Sequence, residues 1–76
     1  MSQKLPRVTA DKMIKVIEKS GFFLVRQSGG HKIYKNERGK RVTIPYHAGK
    51  TLHPKVVKSI LRDADISIEE FKQLLK

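Results

Sequence analysis

Ser28-Gly29-Gly30-His31-Lys32-Ile33-Tyr34-Lys35-Asn36-Glu37-Arg38-Gly39-Lys40-Arg41-Val42-Thr43-Ile44-Pro45 decides the fold of this chain. Ser28-Gly29-Gly30 reads as a turn, and His31 to Asn36 alternates, with Ile33 on one face and Lys32, Tyr34 and Asn36 on the other. Asn36 to Lys40 reads as a hairpin loop in which Gly39 supplies a positive φ. Arg41 to Tyr46 makes a further strand that Pro45 brings to its end. Upstream, Phe22-Phe23-Leu24-Val25 is aromatic and β-branched, as a first strand should be. Connections this short suit an antiparallel meander.

Working outward, Ala10, Met13, Ile14 and Ile17 recur at helical spacing, which predicts a helix over Ala10–Ser20. Thr9 caps its start, Asp11 sits where the helix dipole favours an acid, and Gly21 ends it. Beyond the meander, Pro54 suits a first helical position, and Val56, Val57, Ile60, Leu61 and Ala64 form an apolar stripe. Ala64-Asp65-Ile66 breaks the pattern. Ser67 and Glu70 then form a capping-box signature for a last helix that faces Ile68, Phe71, Leu74 and Leu75 inward. The expectation is one α+β domain over residues 1–76, αβββα(α), with a three-stranded antiparallel sheet covered on one face by helices. Phe22, Leu24, Val42 and Ile44 are its expected sheet core, with Met13 filling the gap to the helix.

Composition narrows the function. Seventeen Lys+Arg stand against seven Asp+Glu, a net charge of +10, which points to a polyanionic partner such as nucleic acid. No cysteine is present to form a disulfide, a thiolate metal site or a nucleophile. No apolar run approaches the roughly 20 residues of a membrane helix, and the amino terminus is unlike a signal peptide. A cytoplasmic protein without a membrane role is expected.

His31 is the residue most suited to chemistry. A lone histidine is usually a surface group without a role, and a glycine pair is what any tight turn would use. Here the glycines also let a ribose-phosphate chain approach bare backbone, and an unperturbed imidazole with pKa near 6.5 exchanges protons at neutral pH. RNA brings its own nucleophile, the ribose 2′-hydroxyl. Cleavage then needs a positioned strand, one proton removed and charge stabilised at phosphorus, with no metal or other cofactor. Arg26, Lys32 and Lys35 lie near His31 in sequence as phosphate contacts, with Gly29 and Gly30 as the close-approach backbone. His47, just after the third strand, flanks the site as a proton donor or phosphate contact. His53 precedes or caps the next helix. Lys50 and the helical face of Lys55, Lys58 and Arg62 form a basic run, either a solvated surface or a track for the RNA backbone. A metal site made from the three histidines is disfavoured, because no acid or cysteine lies near any of them in sequence and the surrounding charge is positive. No phosphate-cradling Gly-rich loop and no paired carboxylates are present.

Gly21-Phe22, Val25-Arg26-Gln27, Gly29-Gly30-His31-Lys32-Ile33-Tyr34, Val42-Thr43-Ile44-Pro45 and His47, followed by Leu52, Ile60-Leu61-Arg62 and Ile66-Ser67-Ile68-Glu69-Glu70-Phe71, resemble the HicA-type toxins of HicAB toxin–antitoxin modules. The resemblance spans nearly the whole chain. It implies a double-stranded-RNA-binding-domain-like fold and an mRNA endonuclease that arrests translation and growth. It further implies His31 as the catalytic histidine and a HicB-type antitoxin as partner. In one respect the chain departs from the family motif: Gly30 stands where Ser or Thr usually precedes the histidine, so a hydroxyl that would orient the histidine or a phosphate is missing. The alternative is a non-catalytic RNA-binding module of the same fold, holding single- or double-stranded RNA by shape and backbone. A DNA-binding regulator is a weaker third reading.

Overall fold

The computed structural model describes residues 7–47 and 49–76. Its elements run α1 (Ala10–Lys19), β1 (Phe23–Ser28), β2 (His31–Lys35), β3 (Arg41–Pro45), α2 (Pro54–Ala64) and α3 (Ile68–Leu74). The three strands form an antiparallel sheet in the order β1-β2-β3. This is the αβββα layout of double-stranded-RNA-binding domains with one additional short helix, as the resemblance implied.

Local chemistry sets each boundary. The Thr9 side chain accepts from the Lys12 amide at 3.2 Å and opens α1. Past its end, Gly21 takes φ +94°, while the amides of Gly21 and Phe22 return to the carbonyls of Glu18 and Ile17. That pattern satisfies the last carbonyls and turns the chain into β1. In the β2–β3 loop the Asn36 side-chain carbonyl accepts from the amides of Arg38 and Lys40, and Gly39 takes φ +82°. Pro54 starts α2, and Asp65 closes it in the left-handed conformation at φ +59°, one of the few non-glycine types that tolerate it. Ser67 and Glu70 make the expected capping box of α3.

The core lies between the helices and one face of the sheet. Met13, Val16 and Ile17 of α1, Val42 and Ile44 of β3, Val57 and Ile60 of α2 and Phe71 of α3 are all buried. Leu74 and Leu75 pack partly buried against them, and the Lys19 ammonium donates to the carbonyls of Leu74 and Lys76 at the end of α3.

The alternation along β2 holds, and its buried side is the one carrying Tyr34, 2% exposed, not the one carrying Ile33. Leu24 was expected in the core and is not there. It pairs with Tyr34 on the inward-looking face, yet remains 47% exposed. β1 is an edge strand, and its register shifts between Leu24 and Arg26, where two of its residues oppose one of β2. Such a bulge bends and twists the strand. The helices pack on β3, leaving β1 uncovered along its whole length. Phe22, just before the strand, is the residue that reaches the core.

Candidate nucleic-acid interface

The pairing register divides the candidate residues between two faces, because residues directly opposite in a sheet share a side. His31 pairs with Ser28 and Pro45, Ile33 with Arg26 and Thr43, and Lys35 with Phe23 and Arg41. These residues make up the face turned away from the core. Lys32 and Tyr34, paired with Ile44 and Val42, occupy the other.

His31 is thus an exposed residue at the start of β2, on the open face, directly after the turn. Gly29 makes that turn possible at φ +56°. Gly30 needs no such freedom. A Cβ placed on it would lie 3.6 Å from Cε1 of His47 and 3.8 Å from the Tyr46 carbonyl, which is ordinary contact. The Tyr46 amide donates to the Gly30 carbonyl at 2.6 Å, so the segment after β3 is fastened to the turn that presents His31. His47 therefore stands beside the turn, on the Gly30 side.

Arg26 shares the open face with His31 and stands diagonally across from it. Lys35 shares it too, but at the far end of β2, roughly 13 Å along the strand. The structure does not bring Lys32 to His31. Its ammonium instead sits 4.1 Å from the centroid of the Tyr46 ring on the core-side face, in a cation–π contact. The Tyr46 hydroxyl donates to Asp11 at 3.0 Å. That hydrogen bond, then the Asp11 charge and some burial, raise the Tyr46 phenol above its ordinary pKa. The Tyr34 phenol is raised as well, first by burial. Tyr46 joins the start of α1 to the end of β3 and so braces the turn from behind.

α2 runs alongside β3, and a groove of about 360 Å³ lies where the open face of the sheet meets it. His31, Thr43 and Pro45 form the sheet side of this groove. Lys55, Val56, Ser59, Ile60 and Asp63 form the helix side. At about 100° per residue, Arg62 and Lys58 lie about 20° and 60° round the helix from Lys55, on the flank away from Asp63. All three bases are exposed, as is Lys50 in the loop between β3 and α2. Of these bases Lys55 alone lines the groove holding His31; Lys58 and Arg62 lie on the adjoining flank of α2, turned away from it.

His53 has the capping role expected of it. Its Nδ1 accepts from the Lys55 amide at 3.0 Å, which commits the ring to the start of α2. Among the described residues no group of three or more His, Cys, Asp or Glu is placed to hold a metal. No helix among them is long and apolar enough to cross a membrane. A larger depression, about 580 Å³, lies between Lys19–Phe22, the β2–β3 loop and the α2–α3 junction; it holds no histidine and lies away from the groove.

Thr43, Ser59 and Asp63 escaped the sequence reading. No acid is close to His31 along the chain, yet the fold brings Asp63 into its groove. The available signal was the spacing Lys55, Ser59, Asp63, a polar stripe at i, i+4 and i+8 on a helix whose apolar stripe was already accounted for.

Compared with known families, residues 10–66 match the model described as HicA toxin of bacterial toxin-antitoxin. That span covers three quarters of the chain and includes β1 to β3, the turn, His31, the groove and α2. No curated protein sequence matches the chain. The chain belongs to the HicA toxin family, and its role is that of a toxin in a toxin–antitoxin system.

Proposed function

We propose that this HicA-family toxin is an endoribonuclease that cuts single-stranded mRNA in the cytoplasm, with His31 as its acid–base group. The observation that carries this reading is the position of His31: exposed, at the mouth of a groove, on the open and basic face of the sheet. His31 accepts the 2′-hydroxyl proton as that oxygen attacks phosphorus. The P–O5′ bond breaks, and the products are a 2′,3′-cyclic phosphate and a 5′-hydroxyl that takes its proton from His47 or water. Lys55 and Arg26 offset the charge that accumulates on the phosphate oxygens. Lys50, Lys58 and Arg62 track the backbone on either side without reading sequence. The reaction asks for no metal, because the ribose supplies the nucleophile and the imidazole the proton transfer.

The antitoxin that a toxin–antitoxin family implies is proposed to be of HicB type and to cover the His31 face. Acidic groups on such a partner would complement a chain of net charge +10. Phe23, Leu24 and Val25, each 45–50% exposed on the unpaired edge of the sheet, offer the kind of apolar patch that a protein partner covers.

The test compares wild type with His31→Ala on a defined RNA in EDTA, with the product ends mapped. Loss of a positioned acid–base group lowers the rate about 10²–10⁴-fold. Wild-type cleavage leaving cyclic phosphate ends, with the variant silent yet still binding RNA, is the expected result. Equal cleavage by both proteins refutes the role of His31. Gly30, lacking the usual hydroxyl, favours the second reading, a non-catalytic RNA-binding module; binding without cleavage by wild type would establish it.

A further inference from the structure

The groove beside His31 has a chemistry that backbone binding does not require. Asp63 is a carboxylate in a concavity of a strongly basic protein that is expected to bind a polyanion. It belongs to the last turn of α2, where the helix dipole disfavours an acid. The ion pair among the described residues, Lys40 with Asp65, does not involve it. Asp63 is exposed, so its carboxylate is accessible to a ligand lying in the groove. Around it, Val56 and Pro45 keep partly open apolar surface, and Ser59 and Thr43 offer hydroxyls. A shallow, open groove with an apolar wall and polar groups along its lining suits a flat ring laid against it, one edge toward the polar groups.

We infer that this groove is a base-binding subsite for the nucleotide next to the scissile phosphate, and that Asp63 selects guanine. The inference rests on the nuclease reading for its place in the reaction, though not for its chemistry. A carboxylate only accepts hydrogen bonds. Guanine presents N1–H and N2–H side by side on its Watson–Crick edge, and two parallel bonds to one carboxylate follow. Adenine and cytosine place a ring-nitrogen acceptor beside their single amino donor, and uracil flanks its N3–H with two carbonyls. Each therefore turns a lone pair toward the Asp63 oxygens. Val56 and Pro45 contact the faces of the base, while Lys55 at the groove's end reaches the attached phosphate.

The probe is each of the four nucleoside 5′-monophosphates, titrated into the isotope-labelled chain and followed by backbone amide NMR. None contains a phosphodiester, so binding is read apart from cleavage. Guanosine monophosphate is expected to shift Thr43, Ser59 and Asp63 at a concentration about five- to 150-fold lower than the others, the discrimination of a bidentate contact. Asp63→Asn, at an exposed position, keeps the fold and loses that preference. Equal shifts from all four nucleotides, largest shifts outside the groove, or an unchanged preference in Asp63→Asn overturns the inference. Guanine selection by a chain that never cuts RNA would refute the nuclease alone; cleavage without base preference would refute the subsite alone.

Discussion

The two adjacent glycines of the turn are predicted to respond oppositely to the same substitution. Gly29 holds φ +56° with open space where a Cβ would go, whereas Gly30 lies outside the positive-φ region and its Cβ would make ordinary contact with His47. Alanine at either position removes the same conformational freedom from the unfolded chain, a stabilisation of about 0.4–1 kcal/mol where the native backbone is compatible. At Gly30 that is the whole effect. At Gly29 the left-handed backbone adds strain of roughly 1–2 kcal/mol. The unfolded-state contribution cancels between the two variants, so their difference measures the strain alone. For a domain of this size 1 kcal/mol shifts Tm by about 4–8 °C, which puts Gly30→Ala above Gly29→Ala by roughly 4–16 °C. Thermal melts followed by circular dichroism read this directly. Melting temperatures in the reverse order, or coinciding, would refute the assignment of the turn's freedom to Gly29. Gly30→Ser then tests the missing hydroxyl with Gly30→Ala as its control. Faster RNA cleavage by the serine variant and not by the alanine variant is expected, because only serine restores a hydroxyl to the turn, next to His31 in sequence and beside His47.

Two further outcomes follow from the surface. Replacing Lys55, Lys58 and Arg62 together by Ala should weaken RNA binding on every sequence alike and lower the slope of log K against log salt by about 2, near 0.7 per phosphate contact on a single strand; an unchanged slope would remove α2 from the RNA path. Tyr46, whose phenol is raised above the ordinary 10.0 by Asp11, gives folding a contribution that is complete below pH 10 and lost as pH climbs through the folded value. Wild type should therefore lose more stability than Tyr46→Phe in urea titrations carried above pH 10, and parallel curves would show that the Asp11 hydrogen bond is not the cause.

The fold was legible wherever a local rule coincided with the tertiary demand. Thr9, Gly21, Pro54 and the Ser67–Glu70 pair each act within a few residues of themselves, and each does in the structure what its type suggests. Leu24 failed because its burial depends on which strand the helices cover and on a bulge, neither of which is written into Phe22-Phe23-Leu24-Val25. The arrangement of the candidate site was half legible. His31 announced itself by its turn, and His53 by its place before Pro54. Proximity along the chain misled at Lys32, because adjacent residues of a strand point to opposite faces. It concealed Asp63, which comes to share a groove with His31 only when α2 lies alongside β3.

If His31 cuts RNA as proposed, that packing also bears on the form of RNA this face accepts. The basic residues near His31 do not form one uniform patch: Arg26, Lys35 and Arg41 lie on the open sheet, while Lys55, Lys58 and Arg62 lie on α2 beyond the β3 edge. A backbone following both sets must cross β3 at the groove, where His31 stands. A duplex keeps its base edges paired and cannot lower one of them into a groove between a strand and a helix. A single strand can, since its bases splay out and offer their Watson–Crick edges and faces to protein groups. On the proposed reading, the fold layout that elsewhere grips duplexes by shape takes one unpaired base here, against Asp63, Ser59 and the apolar wall of Val56 and Pro45. Base selection and the in-line approach of the 2′-hydroxyl then arise from a single placement of the strand. Discrimination against the wrong base should accordingly appear in kcat as well as KM, because a base that is not seated leaves its phosphate out of reach of His31.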